Sequence, residues 1–489
     1  MEEKKSPHVI VIMADQLRFD VLSKEVAPNI SQLREESVQF SNAYCNSPLC
    51  VPARGSFFTS TYPNANGCLI NPWKEEDASH GRSCNELPNL YELMENDWDS
   101  WHTGKQHFFT EDSIDERESS KTKWMSIEKG YAAYREALGK RAPGGPGFRG
   151  VLPEMIGGEK SFPTLYSIPT TGCYEEGFDA FFDGYILKES LDALKNRDKS
   201  KPLLLNAMFL APHPPLEIPE PYFSKFKDVA LPENVGQWSK GQSPLQMYNL
   251  TGYFGTRYTK KDWEKIWPVY LGLVNLLDDC VGQIIDELKA QGMYDESLIV
   301  FTSDHGEMLG SHCLWQKMCL YEESARVPLY FKLPEGQHAG RSINETVMHI
   351  DVLPTICDLV GIPKESSFQG KSLKGLIDGG EVDADRAAFV QFDGNGARGN
   401  FQRCVVQSQK KLIVDIFKDE TFFELYDLKN DPQEMNNLAF DEIEEVEKLF
   451  VLLREHMGKT NDLLEIEEGR YGEFLQGYKR LKESESISL

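Results

Sequence analysis

The 489-residue sequence has no CxxC pair, no long apolar run and too few positive charges to balance its acids. Each shortage removes a class of protein. Ten cysteines scattered along so long a chain, without a dense framework, point to reduced, buried thiols and away from a disulfide scaffold. The first apolar stretch, His8 to Ala14, is short and ends at an acid, unlike a secretory leader. No other segment approaches the roughly 20 apolar residues of a membrane span. The expected location is therefore cytoplasmic, with no membrane partner, unless a leader was removed upstream. With 52 basic against 77 acidic residues, the net charge of -25 argues against nucleic acid or an anionic membrane surface as partner. A small anionic substrate stays open, because it needs only a local cluster of cations. There is no repeat and no low-complexity tract. What is present is 40% hydrophobic and 11% aromatic residues, in a chain long enough for one large globular domain and a smaller one.

The chain's organisation follows from its apolar runs. "HVIVIMAD", "PLLLNAMFLAPH" (202–213) and "SLIVFTSDHGE" (297–307) read as strands buried on both faces, each ending in polar, reactive residues. "WPVYLGLVNLLDDCVGQIIDELKAQG" has helical spacing and stops at Gly292. Strand, helix, strand, with chemistry at the strands' carboxyl ends, is the pattern of an α/β sheet. In such a sheet Asp15, His213, Asp304 and His305 converge. After a Gly- and Asp-rich passage (370–386) come short strand-like pieces and a helix with Ile443, Val446, Leu449, Phe450 and Leu453 as its apolar positions. This sets a boundary near 380, between a catalytic domain (1–380) and a C-terminal α+β subdomain (381–489) with a helical tail. Residues 112–165, rich in charge, Gly and Pro, read as an insertion loop of the kind that shapes pockets.

The candidate chemistry sits at those strand ends. Asp15 and Gln16 in "MADQ", with Asp304 and His305 in "TSDHGE", offer two carboxylates, an amide oxygen and an imidazole. That donor set suits one divalent cation, Ca²⁺ first, with Mg²⁺ or Mn²⁺ as alternatives; the bland reading of either acid is a helix N-cap. "HTGKQHF" adds Lys105 and His107, "APHPP" adds His213 and "LWQKM" adds Lys317. Beside strand-end acids, such a set suits an anionic ester: Lys105, Lys317 and Arg54 neutralise its oxygens and a histidine exchanges a proton. In "SPLCVPARGSFFTS", Pro52 places Cys50 at or just before a helix N-terminus, where an anion is favoured. A thiolate nucleophile is one reading of Cys50. Thiolate and a hard-oxygen cation are mismatched partners, however.

Cys50-x-Pro52-x-Arg54 resembles the signature of the sulfatase family, in which the cysteine is oxidised to formylglycine. "ADQLRFD", "GKQHF", "APHPP", "FTSDHGEMLGSHCLWQKM", "HIDVLPTICDLVGIP" and "ELYDLKNDPQEMNNLA" resemble further family blocks, in the family's order. Ala53 stands where Ser is commoner in the signature, and Ser60 where Gly is commoner. The Gln16/His305 pair resembles the branch holding choline sulfatases and phosphonate or phosphodiester monoesterases. "GKQHF" and "LWQKM" lean to its choline-sulfatase side. The resemblance implies an alkaline-phosphatase-like fold, with a mixed, mostly parallel central sheet flanked by helices and a smaller C-terminal antiparallel sheet with a helix. It implies a metal on Asp15, Gln16, Asp304, His305 and an oxygen of modified residue 50, and a formylglycine-generating maturase as partner. The implied roles are Asp304 accepting the nucleophile's proton, His213 with Lys317 protonating the leaving oxygen, and His107 releasing sulfate. Arg54, Lys105, His213 and Lys317 would bind substrate. The expected activity is hydrolysis of a small sulfate ester, such as a sulfated sugar. A phosphonate or phosphodiester hydrolase is the alternative, and a non-catalytic binding protein of the same fold the remote one.

Overall fold

In the computed structural model, residues 6–487 are described except 73–74, 157–159, 382 and 384. The three apolar runs form the middle of the main sheet. In chain order, the strands up to residue 173 are β1 (His8–Asp15), β2 (Val38–Tyr44), β3 (Asp99–Gly104), β4 (Lys123–Ser126), β5 (Arg149–Ile156), β6 (Lys160–Ser167) and β7 (Thr171–Cys173). They are followed by β8 (Leu203–Pro212), β9 (Leu216–Ile218), β10 (Ser297–Ser303), β11 (Arg326–Lys332) and β12 (Ser342–Met348). The eight-stranded central sheet runs β12-β2-β11-β10-β1-β8-β3-β4. β11 alone is antiparallel to its neighbours, so the sheet is mixed and mostly parallel, in the alkaline-phosphatase-like manner.

All eight residues of β1 are buried because helices cover both faces. The two-residue period divides them: Ile10, Ile12 and Ala14 enter one core, Val9, Val11 and Met13 the other. β1 pairs in parallel with β10 and β8, matching Ala14 to Ser303 and Asp15 to Pro212. That register carries Asp15, His213 and Asp304 to one sheet edge.

The helix Lys260–Ala290 corrects one expectation. It is long and apolar enough to cross a membrane, the one such helix among the described residues, but its apolar window is mostly buried in the protein. It packs on β8 and on the helices Pro28–Glu35 and Phe182–Asn196. A large core supplies the apolar surroundings that a bilayer otherwise would.

β13 (Ala387–Phe392), β14 (Phe401–Gln407), β15 (Lys410–Phe417) and β16 (Glu420–Asp427) form a second, antiparallel sheet. One face holds Val405, Leu412, Val414 and Phe423 against the helix Ile443–Lys459. Of that helix's expected apolar positions, Val446, Leu449, Phe450 and Leu453 are buried and Ile443 is exposed. The other face of the sheet (Ala388, Val390, Val406, Ile413) joins the main core. The passage 112–165 is more ordered than a loop. It contributes β4 to the central sheet and, beyond Arg149, most of the β5–β6 hairpin that ends at Ser167.

Candidate active site

The helix Cys50–Thr59 is buried at all ten positions, so it has no amphipathic face for a sequence to show. Cys50 is its first residue, and the next backbone amide, Val51 N, donates to Asn71 Oδ1 at 3.0 Å. The helix ends at Ser60 with φ 58, a left-handed position that glycine fills without strain. Serine holds it here with a hydroxyl donating to Ile350 O at 2.6 Å. At the end of β3, Gly104 (φ 94) lies so close to β8 that a Cβ would stand 2.0 Å from Met208 O. The turn it permits delivers Lys105 to the site.

Around Cys50, Asp15, Asp304 and His305 offer ligand atoms that all lie within 4.8 Å of one another, fully buried. Cys50 Sγ is 3.3 Å from His305 Nε2 and 3.8 Å from Asp15 Oδ1. His305 Nδ1 lies 3.0 Å from Gly306 O, an acceptor for its proton; against burial, Asp304 and Cys50 raise the imidazole above its usual value, so a cation would take Nε2 in place of a second proton. Gln16, in left-handed conformation at φ 68, donates its amide to Glu307 and accepts Lys317 Nζ on Oε1 at 2.7 Å. Glu307 is held in turn by Leu309 N at 2.8 Å and Gln316 N at 2.6 Å, so it decides which way the Gln16 amide faces. The oxygens of Asp15 and Asp304 with His305 Nε2 fit a hard divalent cation, while Gln16 Oε1 is engaged by Lys317. The Cys50 sulfur is the one misfit, and an oxygen in its place completes the set.

The charges explain one another. Burial pushes Asp15 up, but Lys105, His213, Lys317 and Arg54 together hold it well below the ordinary carboxylate range. Burial and the neighbouring Asp15 charge raise Asp304, against His305 and Arg54. Asp304 is thus the more basic of the two. Burial and Asp15 push the Cys50 thiol up, but Lys105, Lys317 and His305 prevail and lower it well below its usual value. Burial and the Lys317 charge depress His213 well below the usual imidazole value.

Beyond this floor opens a cavity of about 480 Å³ whose lining includes Cys50, Lys105, His107, His213 and Lys317. Lys105 bonds Asp15 and reaches Cys50 Sγ at 3.4 Å. His107 Nε2 is 3.8 Å from Glu128 Oε1, and His213 Nδ1 is 2.6 Å from Pro214 O. Arg54 differs from its expected place on substrate oxygens. It is fully buried behind the cavity, where its nitrogens bond Asp304 Oδ2 at 3.1 Å, Asp15 Oδ2 at 3.3 Å and Lys105 O at 2.8 Å. A side chain one helical turn past Cys50 points into the protein, and there it braces the two carboxylates. Sequence reasoning missed Glu307, although it lies inside the quoted "TSDHGE", and Asn71, for which no local signal exists.

The sulfatase family profile matches residues 7–362. The chain belongs to the sulfatase family. A second profile, N-sulphoglucosamine sulphohydrolase, C-terminal, matches residues 310–462. An arylsulfatase of Clostridium perfringens is 26% identical over 89% of this chain and 91% of its own. A choline-sulfatase of Rhizobium meliloti is 27% identical over 88% and 82%. Among solved structures, the phosphonate monoester hydrolase of Agrobacterium radiobacter superposes with a TM-score of 0.73 over 93% of this sulfatase and 95% of its own chain, at 23% identity. The enzyme is accordingly a sulfuric ester hydrolase, from a family that uses a metal and formylglycine.

Proposed function

We propose that this sulfatase hydrolyses a small sulfate ester, such as a sulfated sugar, through a formylglycine made from Cys50 on one divalent cation, Ca²⁺ first. The observation that carries the reading is Cys50 Sγ among hard donors, 3.3 Å from His305 Nε2 at the floor of the cavity. Asp15, Gln16, Asp304, His305 and an oxygen of residue 50 would hold the cation, which supplies Lewis-acid activation of that oxygen. Cys50 is 2% exposed, so a maturase must oxidise it before folding closes the site.

The chain's own groups divide the remaining work. The hydrated aldehyde is a gem-diol. It would supply an oxygen nucleophile for the sulfur, and Asp304 would accept that hydroxyl's proton as the bond to the leaving alcohol breaks. His213, its Nδ1–H held by Pro214 O, has Nε2 for the leaving oxygen. A bound anion would offset the depression that burial and Lys317 impose on His213. Lys105 and Lys317 face the sulfate oxygens and stabilise charge as it develops. His107, with Glu128 Oε1 3.8 Å from its Nε2, would take the proton of the second hydroxyl so that sulfate can leave and the aldehyde return. Arg54 is a positioning residue. On the cavity wall, Tyr131, Tyr166 and Phe182 offer ring faces, and Arg149 and Asn395 polar groups, which suits a sulfated sugar bearing a second anionic substituent.

Mass spectrometry of the peptide containing residue 50 tests this reading, with formylglycine expected in active enzyme and intact cysteine in fully active enzyme sinking it. A phosphonate or phosphodiester hydrolase is the second reading. It stays open because a 27%-identical relative of Trinickia caryophylli, covered over 91% of its length, is named a multifunctional member of the alkaline phosphatase superfamily. Comparing kcat/KM for an aryl sulfate and an aryl phosphonate monoester separates the two, and the sulfate is expected to lead.

A further inference from the structure

A second buried charge cluster lies where the segment between β10 and β11 meets the C-terminal sheet. His312, Glu323 and Glu434 there bring ligand atoms within 4.8 Å of one another, all buried. His312 stacks on Tyr321, ring centroids 4.1 Å apart and planes at 5°, which fixes the ring. Neither of its ring nitrogens has a hydrogen-bond partner, nor do Glu323 Oε2 and Asn234 Oδ1. The nearest approach of His312 Nε2 to Glu323 Oε2 is 3.9 Å, too long for a hydrogen bond. Asn234 is tied to the same group, its Nδ2 donating to Glu323 Oε1 at 2.5 Å.

Positive charge is short as well. The buried carboxyls Glu322, Glu323, Glu424 and Glu434 gather around Lys411, which lies 2.8 Å from Glu434 and 3.0 Å from Glu322. Arg326 adds one contact, 3.5 Å from Glu322, and the buried Arg18, whose charge also acts on Glu323 and His312, is paired with Asp20 at 2.7 Å. A buried surplus of carboxylates must be met by a proton or a cation. A proton on one carboxylate leaves both His312 nitrogens unanswered, whereas a cation would take one of them together with Glu323 and Glu434.

We propose that His312, Glu323 and Glu434 bind a second divalent ion. The mixed imidazole and oxygen donors suit a first-row transition ion such as Zn²⁺ or Mn²⁺. Neighbouring ligands of a tetrahedral ion at about 2.1 Å stand about 3.4 Å apart, so a spread of up to 4.8 Å closes with side-chain shifts of about an ångström. His312 and Glu323 come from the catalytic sheet's side, and Glu434 follows β16. The ion is therefore structural and fastens the two sheets together. The proposal does not rest on the sulfate chemistry.

The test strips full-length protein with a chelator, dialyses it against Zn²⁺ or Mn²⁺, and counts metal per chain by mass spectrometry. Two equivalents are expected. H312Q/E323Q should bind one fewer and lose the metal-dependent rise in Tm, while its aryl sulfate turnover stays within twofold. Should that variant fail to fold, D15N/D304N, which disables the catalytic donors, should still bind one. None in D15N/D304N, or an unchanged count in H312Q/E323Q, overturns the proposal and leaves a bridging water with a shared proton as the cluster's content.

Discussion

Two nests of buried charge can be set side by side in this enzyme. In the first, Asp15 and Asp304 are surrounded by Arg54, Lys105 and Lys317, and the nest opens on a cavity. In the second, Glu322, Glu323 and Glu434 share Lys411 and part of Arg326, enclosed between two sheets. Cations in excess keep Asp15 ionised and make room for an anion. Carboxylates in excess call for a cation. Equal burial with opposite balance leaves lysines facing the cavity beside the Asp15/Asp304 cluster in one place and a surplus of enclosed carboxylates in the other. Asp183 shows what happens with neither. Its Oδ1 accepts Leu210 N at 2.9 Å and Ala211 N at 3.0 Å, and burial pushes its carboxyl up to about 7.

The sharpest break between the nests is functional. Cys50→Ala should lower kcat/KM for an aryl sulfate by roughly 10⁴- to 10⁶-fold, the scale of losing a nucleophile, with little change in urea midpoint. Lys411→Met should do the reverse: it leaves Glu322 and Glu434 buried and unpaired, at about 3–5 kcal/mol of stability, read from urea denaturation. Arg54→Met should do both, because it strips the brace from two carboxylates that also carry the chemistry. Equal stability losses without an activity loss for Arg54→Met would show that the first nest is merely structural.

Asp183 gives a smaller, pH-dependent effect. Its folded value lies above the unfolded 3.8, so the native state holds more protons between the two. Its contribution to stability is full below pH 3.8 and is lost as pH rises toward about 7. Asp183→Asn should flatten the fall of Tm across that window, and an unchanged slope would remove Asp183 as its source. The smallest effect belongs to a pair in neither nest. Lys24 and Glu35, 2.6 Å apart, have side chains 72% and 55% exposed, and removing the pair should cost under about 1 kcal/mol.

Much of the fold was legible. β1, β8 and β10 announce themselves as unbroken apolar runs because both faces are covered, and each run ends at the residue that enters the site. Asp15, Cys50, Asp304 and His305 could be named because they sit at strand or helix ends, where a side chain is free to meet others. The passage 112–165 hid its strands because the hairpin is short, partly exposed and interrupted by Gly and Pro. Glu307 and Asn71 went unnoticed for another reason: each acts through a partner distant in the chain.

By itself the sequence determined the strand ends, the donor types and the family signature, since these depend on composition and spacing over a few residues. The tertiary structure decided direction. It turned Arg54 inward onto two carboxylates, faced the Gln16 amide with Glu307, and set His312 against Glu434. Those choices rest on packing between segments hundreds of residues apart, where the low dielectric of the interior makes each unpaired charge costly and so fixes its partner.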